Sequence, residues 1–158
     1  MKTNKLKIVK IIAPILVLGA IISCEPEEID AKNTKNIVSA SINTVGFVSA
    51  STNAKLYLTT TSTDTNLQIV TTGKNQDILE INVNSLVEKS YSHGAEENPD
   101  ISFKYKKFTN GVTVPYESNA GSLTLQKHDK DKKTISGTFN FTASSNKIES
   151  GVFTEVNY

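Results

Sequence analysis

The chain has 158 residues and a formal net charge of +1, from 17 basic and 16 acidic residues, and every basic residue is a lysine. Four lysines lie in the first ten residues, where no acid occurs, so the rest of the chain has 13 lysines against 16 acids, a net charge of −3. Nucleic-acid-binding proteins usually present a basic surface with arginines that grip phosphates and base edges, so this composition argues against that class.

The first 23 residues have the order of a secretory signal peptide. Lysines precede the apolar run Ile11–Ile22, whose twelve residues are too few to span a bilayer, because a spanning helix needs about 20. Pro14 and Gly19 weaken a helix there further. We therefore predict that residues 1–23 are a signal peptide, which ends at the small residue Ser23.

The only cysteine of the chain, Cys24, follows directly. Ile21-Ile22-Ser23-Cys24 resembles the lipobox of bacterial lipoproteins, which implies cleavage after Ser23, a diacylglyceryl group on the Cys24 sulfur and acylation of the freed amine. Each buried methylene contributes about 0.8 kcal/mol, and two or more acyl chains hold a protein stably on a bilayer. The resemblance predicts a cell-envelope protein, lipid-anchored to the outer membrane on its periplasmic or surface side. The alternative is a free cysteine in an uncleaved apolar segment.

Residues 24–36 are polar, lack an apolar period and contain Pro26, which together predict a flexible tether. Three of them, Glu25, Glu27 and Glu28, loosely resemble the acidic surface-export signals of Bacteroidota lipoproteins. Two interpretations remain open, an export signal and a linker whose charges are simply solvated.

From residue 37 to 158, apolar and polar residues alternate with a period of two, which is typical of β-strands with one buried face. The run "ISGTFNFTA", for example, places Phe139 and Phe141 on one face and Thr142 on the other. About eight such runs are separated by turn residues, which predicts one all-β domain over residues 37–158.

The connections favour antiparallel strands. Asn110-Gly111 tolerates positive φ at both residues and predicts a type I′ hairpin. Ser85 and Glu88 have the spacing of a capping box, which predicts one helical turn in "SLVEKS". Short loops between consecutive strands predict antiparallel neighbours. We favour an antiparallel two-sheet sandwich of about eight strands, and a closed or partly open antiparallel β-barrel is the alternative.

The C-terminal part of the domain carries a recognisable pattern. Gly121–Leu125 reads G-S-L-T-L, Ile135–Ala143 contains S-G-T-F-x-F-x-A, and Gly151–Phe153 reads G-x-F. This combination resembles a family of small Bacteroidota lipoproteins of unknown function. The opening stretch "VSASINTVGFVSA" is similar to that family's first strand pair, with Thr44 where a glycine is common. The resemblance spans most of residues 37–158 and implies an envelope location and an all-β fold, with no activity and no catalytic residues.

Few residues suggest catalysis or metal binding. His93 stands in an H-x-x-E spacing that lacks the second histidine of a zinc-protease motif, so an exposed loop is the simpler interpretation. His128 lies beside Asp129 and Asp131 in a polar turn with too few oxygen ligands for a calcium loop. No serine-hydrolase or phosphate-binding motif occurs, and lipidation would consume Cys24. We predict no catalytic residues, no cofactor and no metal site, and identify Cys24 as the functional position.

Two functions remain for an anchored domain of this kind. The first is a non-catalytic binding or structural module, whose partners are the membrane, through the lipid on Cys24, and an envelope protein or surface glycan, but no nucleic acid. The second is a carrier of a small apolar ligand or glycan in an interior pocket. We favour the first, because the rows of Phe, Leu and Ile are sufficient to fill a domain of about 120 residues at normal packing density.

Overall fold

Alternating apolar and polar residues pair into strands along most of the chain. The structure, a computed structural model, describes residues 35–58, 65–94 and 100–158, so the predicted signal peptide, Cys24 and the tether up to residue 34 lie outside the described residues. Nine strands are present in the described part: β1 (Ile37–Ile42), β2 (Val45–Leu58), β3 (Thr65–Gly73), β4 (Ile78–Val83), β5 (Ser90–His93), β6 (Ile101–Thr109), β7 (Val112–Asp129), β8 (Thr134–Ala143) and β9 (Asn146–Asn157).

The long strand β7 closes the sheet into a barrel. Its first part, Val112–Glu117, pairs with β6, and its second part, Ser118–Asp129, pairs with β8. Antiparallel neighbours run in the order β7-β6-β4-β3-β2-β1-β9-β8 and back to β7, and β5 pairs with β7 as a ninth strand. The all-β antiparallel prediction is confirmed, and the arrangement is the closed barrel rather than the preferred sandwich. Alternation could not separate the two, because each gives every strand one buried face.

Irregularities in the ladders bend the sheet around the barrel. In β9, Ser150 and Glu155 have positive φ of 51° and 43°, and the pairing with β8 shifts register beside each of them. The β2–β3 pairing shifts register between Ser49 and Ser51. Bulges of this kind add a residue to one strand and increase its twist and bending, which a small sheet needs in order to close on itself.

Rows of inward-facing side chains fill the barrel. Phe139 and Phe141 are each 3% exposed, and Thr142 is half-buried on the outer face, so the predicted faces of this strand are confirmed. Phe103 stacks on Phe141 with ring centroids 4.7 Å apart. The other side chains of the core are Val38, Ala40, Ile42, Phe47, Leu67, Ile69, Leu79, Ile81, Val83, Tyr91, Ile101, Tyr105, Leu123, Leu125, Ile135, Ala143, Ile148, Phe153 and Val156.

Two patterns from the C-terminal part of the sequence meet across the β8–β9 ladder. Gly137 lies opposite Phe153, and Phe139 lies opposite Gly151. A Cβ at Gly137 would lie 2.3 Å from the carbonyl oxygen of Thr124 and 2.5 Å from Cζ of Phe153, and a Cβ at Gly151 would lie 2.6 Å from both the ring and the carbonyl oxygen of Phe139. Each glycine therefore makes room for the phenylalanine ring of the other pattern and for a backbone carbonyl group.

The two ends of the barrel differ. Because neighbouring strands are antiparallel, one end, the hairpin end, holds the turns at residues 43–44, 74–77, 110–111 and 144–145. At that end Asn110 and Gly111 have φ of 53° and 80°, as the predicted type I′ hairpin requires. The chain enters β1 and leaves β9 at the opposite end, the barrel base, where the N–H of Asn36 donates to the carbonyl of Glu155 at 3.2 Å.

The predicted helical turn in "SLVEKS" is wrong. Residues 85–89 are irregular, although Oγ of Ser85 accepts a hydrogen bond from the N–H of Val87 at 3.3 Å, as a capping residue can. The expected capping partner, Glu88, accepts from the N–H of His128 at 2.7 Å instead.

Within the described residues, no helix is long and apolar enough to cross a membrane.

Candidate functional site at the hairpin end

A cleft of about 590 Å³ opens at the hairpin end of the barrel. It lies between β1, β2, the β3–β4 turn and the last part of β6, which are far apart in the sequence. Inward-facing residues near the strand ends form its floor, and turn residues contribute to its rim. The residues that line this mouth cleft are Ile42, Asn43, Val45, Gly46, Phe47, Val48, Gly73, Lys74, Asn75, Asp77, Tyr105 and Lys107.

An aromatic ring packed on a glycine forms the apolar part of the floor. Phe47 is 6% exposed, and a Cβ at Gly73 would lie 2.5 Å from Cε2 of its ring. The ring can rest there only because residue 73 has no side chain. Ile42, whose neighbour across the β1–β2 hairpin is Val45, continues the apolar wall.

A buried tyrosine and a turn aspartate form the polar part of the floor. The hydroxyl of Tyr105 donates to Oδ2 of Asp77 at 2.9 Å, and the N–H of Phe108 donates to Oδ1 at 2.8 Å. The carbonyl of the same aspartate accepts from the N–H of Gly73 at 2.8 Å, which closes the β3–β4 turn. Burial, and after it the hydrogen bond to Asp77, raise the pKa of the Tyr105 hydroxyl, which therefore stays protonated as a donor.

The rim combines cations with apolar side chains. Lys74 and Lys107 are exposed, and neither makes an ion pair within the described ranges. Val45 is 63% exposed, and Val48 is 40% exposed. Val114 of β7, in register with Lys107, is also 40% exposed. Unpaired lysines and solvent-exposed valines thus lie at the same end of the barrel, which makes this end a candidate binding surface.

Two asparagines hold the turns beside the mouth cleft. Nδ2 of Asn43 donates to Oδ1 of Asn146 at 3.0 Å, and Oδ1 of Asn43 accepts from the N–H of Lys147 at 2.8 Å. Asn43 and Thr44 have positive φ of 49° and 71°, as a two-residue type I′ turn needs. These bonds join the β1–β2 turn to the β8–β9 turn and fix one side of the mouth.

The two histidines of the sequence lie elsewhere. Nε2 of His93 lies 3.2 Å from the carbonyl oxygen of Ser118, and its ring packs edge-on against Phe103. Nε2 of His128 lies 2.6 Å from the hydroxyl of Tyr158 at the barrel base. Neither lines the mouth cleft. In the part of the chain that the structure describes, no group of three or more His, Cys, Asp or Glu side chains is placed to hold a metal ion.

Sequence reasoning missed the mouth cleft and placed its functional positions at Ser23 and Cys24, which lie outside the described residues. The cleft is built from separate elements, so no motif marks it. One signal was present. The inward row of β6 runs through Phe103 and Tyr105 and continues at Lys107, and a lysine at the end of an apolar row indicates that the row reaches solvent at a strand end.

The comparisons with known proteins identify a family but no activity. Residues 34–157 match the family described as Domain of unknown function (DUF6252), a range that includes the whole barrel. Neither the curated proteins nor the solved structures gave a match. The chain therefore belongs to the DUF6252 family, whose function is unknown.

Proposed function

We propose that this protein is a lipid-anchored lipoprotein of the cell envelope whose barrel is a non-catalytic binding module. In this proposal cleavage follows Ser23, the lipid is attached to Cys24, and the protein is held on the outer membrane, on its periplasmic or surface side. The short apolar run and the lipobox-like Ile21–Cys24 support the anchor. The mouth cleft supports the binding role.

The placement of the two barrel ends carries the proposal. The chain joins the barrel at its base, where Asn36 bonds to Glu155, whereas the mouth cleft lies at the hairpin end. In this proposal the tether predicted over residues 24–36 would have an average reach of about 20 Å before Asn36 joins the barrel. An anchor at Cys24 would therefore leave the mouth cleft on the side of the barrel away from the bilayer and accessible to envelope components.

The one carboxylate in the mouth cleft is fixed in its wall. Tyr105 and the N–H of Phe108 each donate to one oxygen of Asp77. We propose that this carboxylate shapes a binding surface and does not act as a general base or nucleophile. We propose an envelope protein or a surface glycan as the partner and no nucleic acid, because the chain after residue 23 is acidic and has no arginine.

A carrier of a small ligand is the second candidate, and one observation favours it. The mouth cleft, with about 590 Å³, falls in the range of roughly 300 to 1,000 Å³ that small-molecule sites occupy, and barrel mouths are common places for such sites. The ligand would then lie at the mouth and not in an interior pocket, since the lining includes Phe47 but none of the phenylalanines of β6, β8 or β9.

Metabolic labelling tests the anchor. The full chain is expressed in a Gram-negative host fed a clickable fatty acid, as wild type, Cys24→Ala and the matched control Ser23→Ala, which keeps a small residue before the cysteine. We expect label in the wild type and in Ser23→Ala, and none in Cys24→Ala. Equal label in all three proteins, or none in the wild type, would contradict lipidation at Cys24.

Site-specific crosslinking tests the binding end. A photoreactive phenylalanine is placed at Val45 in the mouth cleft or, as a control, at Lys127 near the barrel base, and intact cells are irradiated. Both side chains are exposed, so neither change should disturb folding. We expect crosslinked products from position 45 in excess of those from position 127. Equal amounts of crosslinked product from both positions would contradict a binding role for the hairpin end.

A further inference from the structure

We propose that the mouth cleft binds an amphipathic anion, a small molecule with an apolar body and one acidic head group, either a carboxylate or a phosphate. This inference rests on the second candidate of the proposed function, the carrier, because it assigns a ligand class to it. It depends on two features of the mouth cleft, which are its apolar floor and its unpaired cations.

The floor can receive an apolar body. Phe47 and Ile42 present ring and aliphatic surface at the bottom of the cleft, and Val45, which is 63% exposed, continues this surface to the rim. Covering apolar surface of this kind contributes about 25 cal/mol per Å². Grooves on the outer wall are smaller, at about 280 to 340 Å³, and their linings are mostly polar, so they lack an equivalent floor.

The charges of the lining favour an anion. Lys74 and Lys107 bring two cations to the cleft, and Asp77 brings its one acidic side chain. That carboxylate is held in the wall by Tyr105 and Phe108, and because both are neutral donors its charge still counts, so the lining has two cations against one anion. The mouth cleft is thus a locally cationic site on a chain whose net charge after residue 23 is negative, and lysine binds carboxylates and phosphates as a point charge.

The neighbouring lysines of β6 show that Lys107 differs from its surroundings. On the outer face, Lys104 pairs with Glu117 at 2.7 Å, and Lys106 pairs with Glu80. Lys107 points to the inner face beside Tyr105 and has no acidic partner within the described residues. The two outward lysines of β6 are therefore paired with glutamates of neighbouring strands, whereas the inward Lys107 is available to a ligand.

Calorimetric titration tests the ligand class. The full-length protein is held in lipid nanodiscs, and empty nanodiscs are the blank, which subtracts the heat of probe partition into the lipid. The probes are 4-phenylbutyrate, 4-phenylbutyl phosphate and 4-phenylbutylamine, which share one apolar body and differ in the head group. We expect both acids to bind at least about tenfold more tightly than the amine, because Lys74 and Lys107 each attract an acid and repel the amine by a modest amount.

Variants locate the site. Lys74→Gln with Lys107→Gln should weaken 4-phenylbutyrate binding about tenfold, whereas the matched pair Lys127→Gln with Lys130→Gln, which removes the same charge near the barrel base, should change it by less than about twofold. Val45→Asp, a change at an exposed position, should weaken the acids and strengthen the amine. The ratio between the two acids shows whether the head group is a carboxylate or a phosphate.

Three outcomes would overturn the inference. They are equal affinity for acids and amine, equal weakening by the two lysine pairs, and no binding of any probe. In the last case, loss of the position-45 crosslink in the Lys74→Gln, Lys107→Gln protein would assign the cleft to a macromolecular partner instead. None of these results affects fatty-acid labelling of Cys24, so failure of the ligand class and failure of the proposed anchor are distinguishable.

Discussion

The hydroxyl of Tyr105 donates a 2.9 Å hydrogen bond to Oδ2 of Asp77, which joins a core residue of β6 to the β3–β4 turn. The tyrosine is 2% exposed, and its ring stacks on Tyr116 with centroids 6.1 Å apart. Buried hydroxyl groups need a hydrogen-bond partner, and the turn needs a contact that fixes it against the barrel. One carboxylate meets both needs, so this pair sets the shape of the mouth cleft.

Removing either member of the pair should destabilise the barrel. Tyr105→Phe leaves Oδ2 of Asp77 without its donor and should lower the free energy of unfolding by about 1 to 2 kcal/mol. Asp77→Ala removes the acceptor for two donors and should cost about 2 to 4 kcal/mol. Urea unfolding of both single variants and the double variant should give a coupling free energy of about 1 kcal/mol or more.

Tyr116→Phe is the control for this cycle. The Tyr116 ring lies beside that of Tyr105, but its hydroxyl makes no hydrogen bond to any described residue. Its removal should therefore cost less than about 0.5 kcal/mol. Equal costs for Tyr105→Phe and Tyr116→Phe would show that the bond to Asp77 contributes little.

The raised pKa of Tyr105 predicts a loss of stability at alkaline pH. Below about pH 10 the folded and unfolded states both hold the proton. Above it the unfolded state loses the proton while the folded state keeps it, because burial and Asp77 raise the pKa of Tyr105. The free energy of unfolding should then fall as pH rises, by up to about 1.4 kcal/mol per pH unit for this one group. Urea unfolding between about pH 9 and 11 should show a shallower fall for Tyr105→Phe, and identical slopes would contradict this origin.

Alternation was sufficient to predict the strands but not their closure. The inward faces of residues 135–143 and the turn at Asn110-Gly111 follow from local chemistry, and both are confirmed. Closure depends on β7, which exchanges β6 for β8 as its partner between Glu117 and Ser118. A change of partner leaves the alternation of side chains intact, so a sandwich and a barrel have the same periodic pattern.

The mouth cleft was less predictable than the fold. Alternation indicates that Phe47, Tyr105 and Lys107 face inward, but it does not indicate which of them meet across the barrel. The role of Asp77 was hidden as well, because a turn aspartate usually bonds to its own backbone. Here it reaches a tyrosine on β6, the strand that pairs with β4. Sites built by several strands need the topology before their members can be grouped.

Thr44 should be replaceable by glycine with a gain in stability. Its φ of 71° lies in the left-handed region, which costs an L-residue roughly 1 to 2 kcal/mol and glycine little. After the greater chain entropy of glycine in the unfolded state is subtracted, Thr44→Gly should raise the free energy of unfolding by about 0.5 to 1 kcal/mol. Gly111→Thr, the reverse change in the other type I′ turn, should destabilise the barrel, and thermal unfolding of both variants is the measurement. A loss of stability in Thr44→Gly would show that the threonine makes a compensating contact.

Neighbouring residues on β8 should respond very differently to truncation. Phe141 is 3% exposed and stacks on Phe103, so Phe141→Ala should lower the free energy of unfolding by about 3 to 5 kcal/mol. Thr142→Ala, on the outer face of the same strand, should cost less than about 0.5 kcal/mol. Urea denaturation followed by circular dichroism gives both values, and comparable costs would mean that the interior is more loosely packed than the stacked rings indicate.

The glycine–phenylalanine pairs of β8 and β9 predict a change that a second substitution can relieve in part. A Cβ at Gly137 would lie 2.3 Å from the carbonyl oxygen of Thr124 and 2.5 Å from Cζ of Phe153, so Gly137→Ala should destabilise the barrel by about 1 to 3 kcal/mol. Gly46→Ala, at a site with no atom within 4 Å of the new Cβ, should change stability by less than about 0.5 kcal/mol.

Phe153→Leu in the Gly137→Ala background shortens the side chain that the new methyl group meets. The double variant should therefore be more stable than the sum of the two single losses predicts, by about 0.5 kcal/mol or more, since contacting residues are not independent. The four proteins of this cycle can be compared by urea unfolding. Additive losses would show that the carbonyl oxygen of Thr124, and not the ring of Phe153, excludes a side chain at position 137.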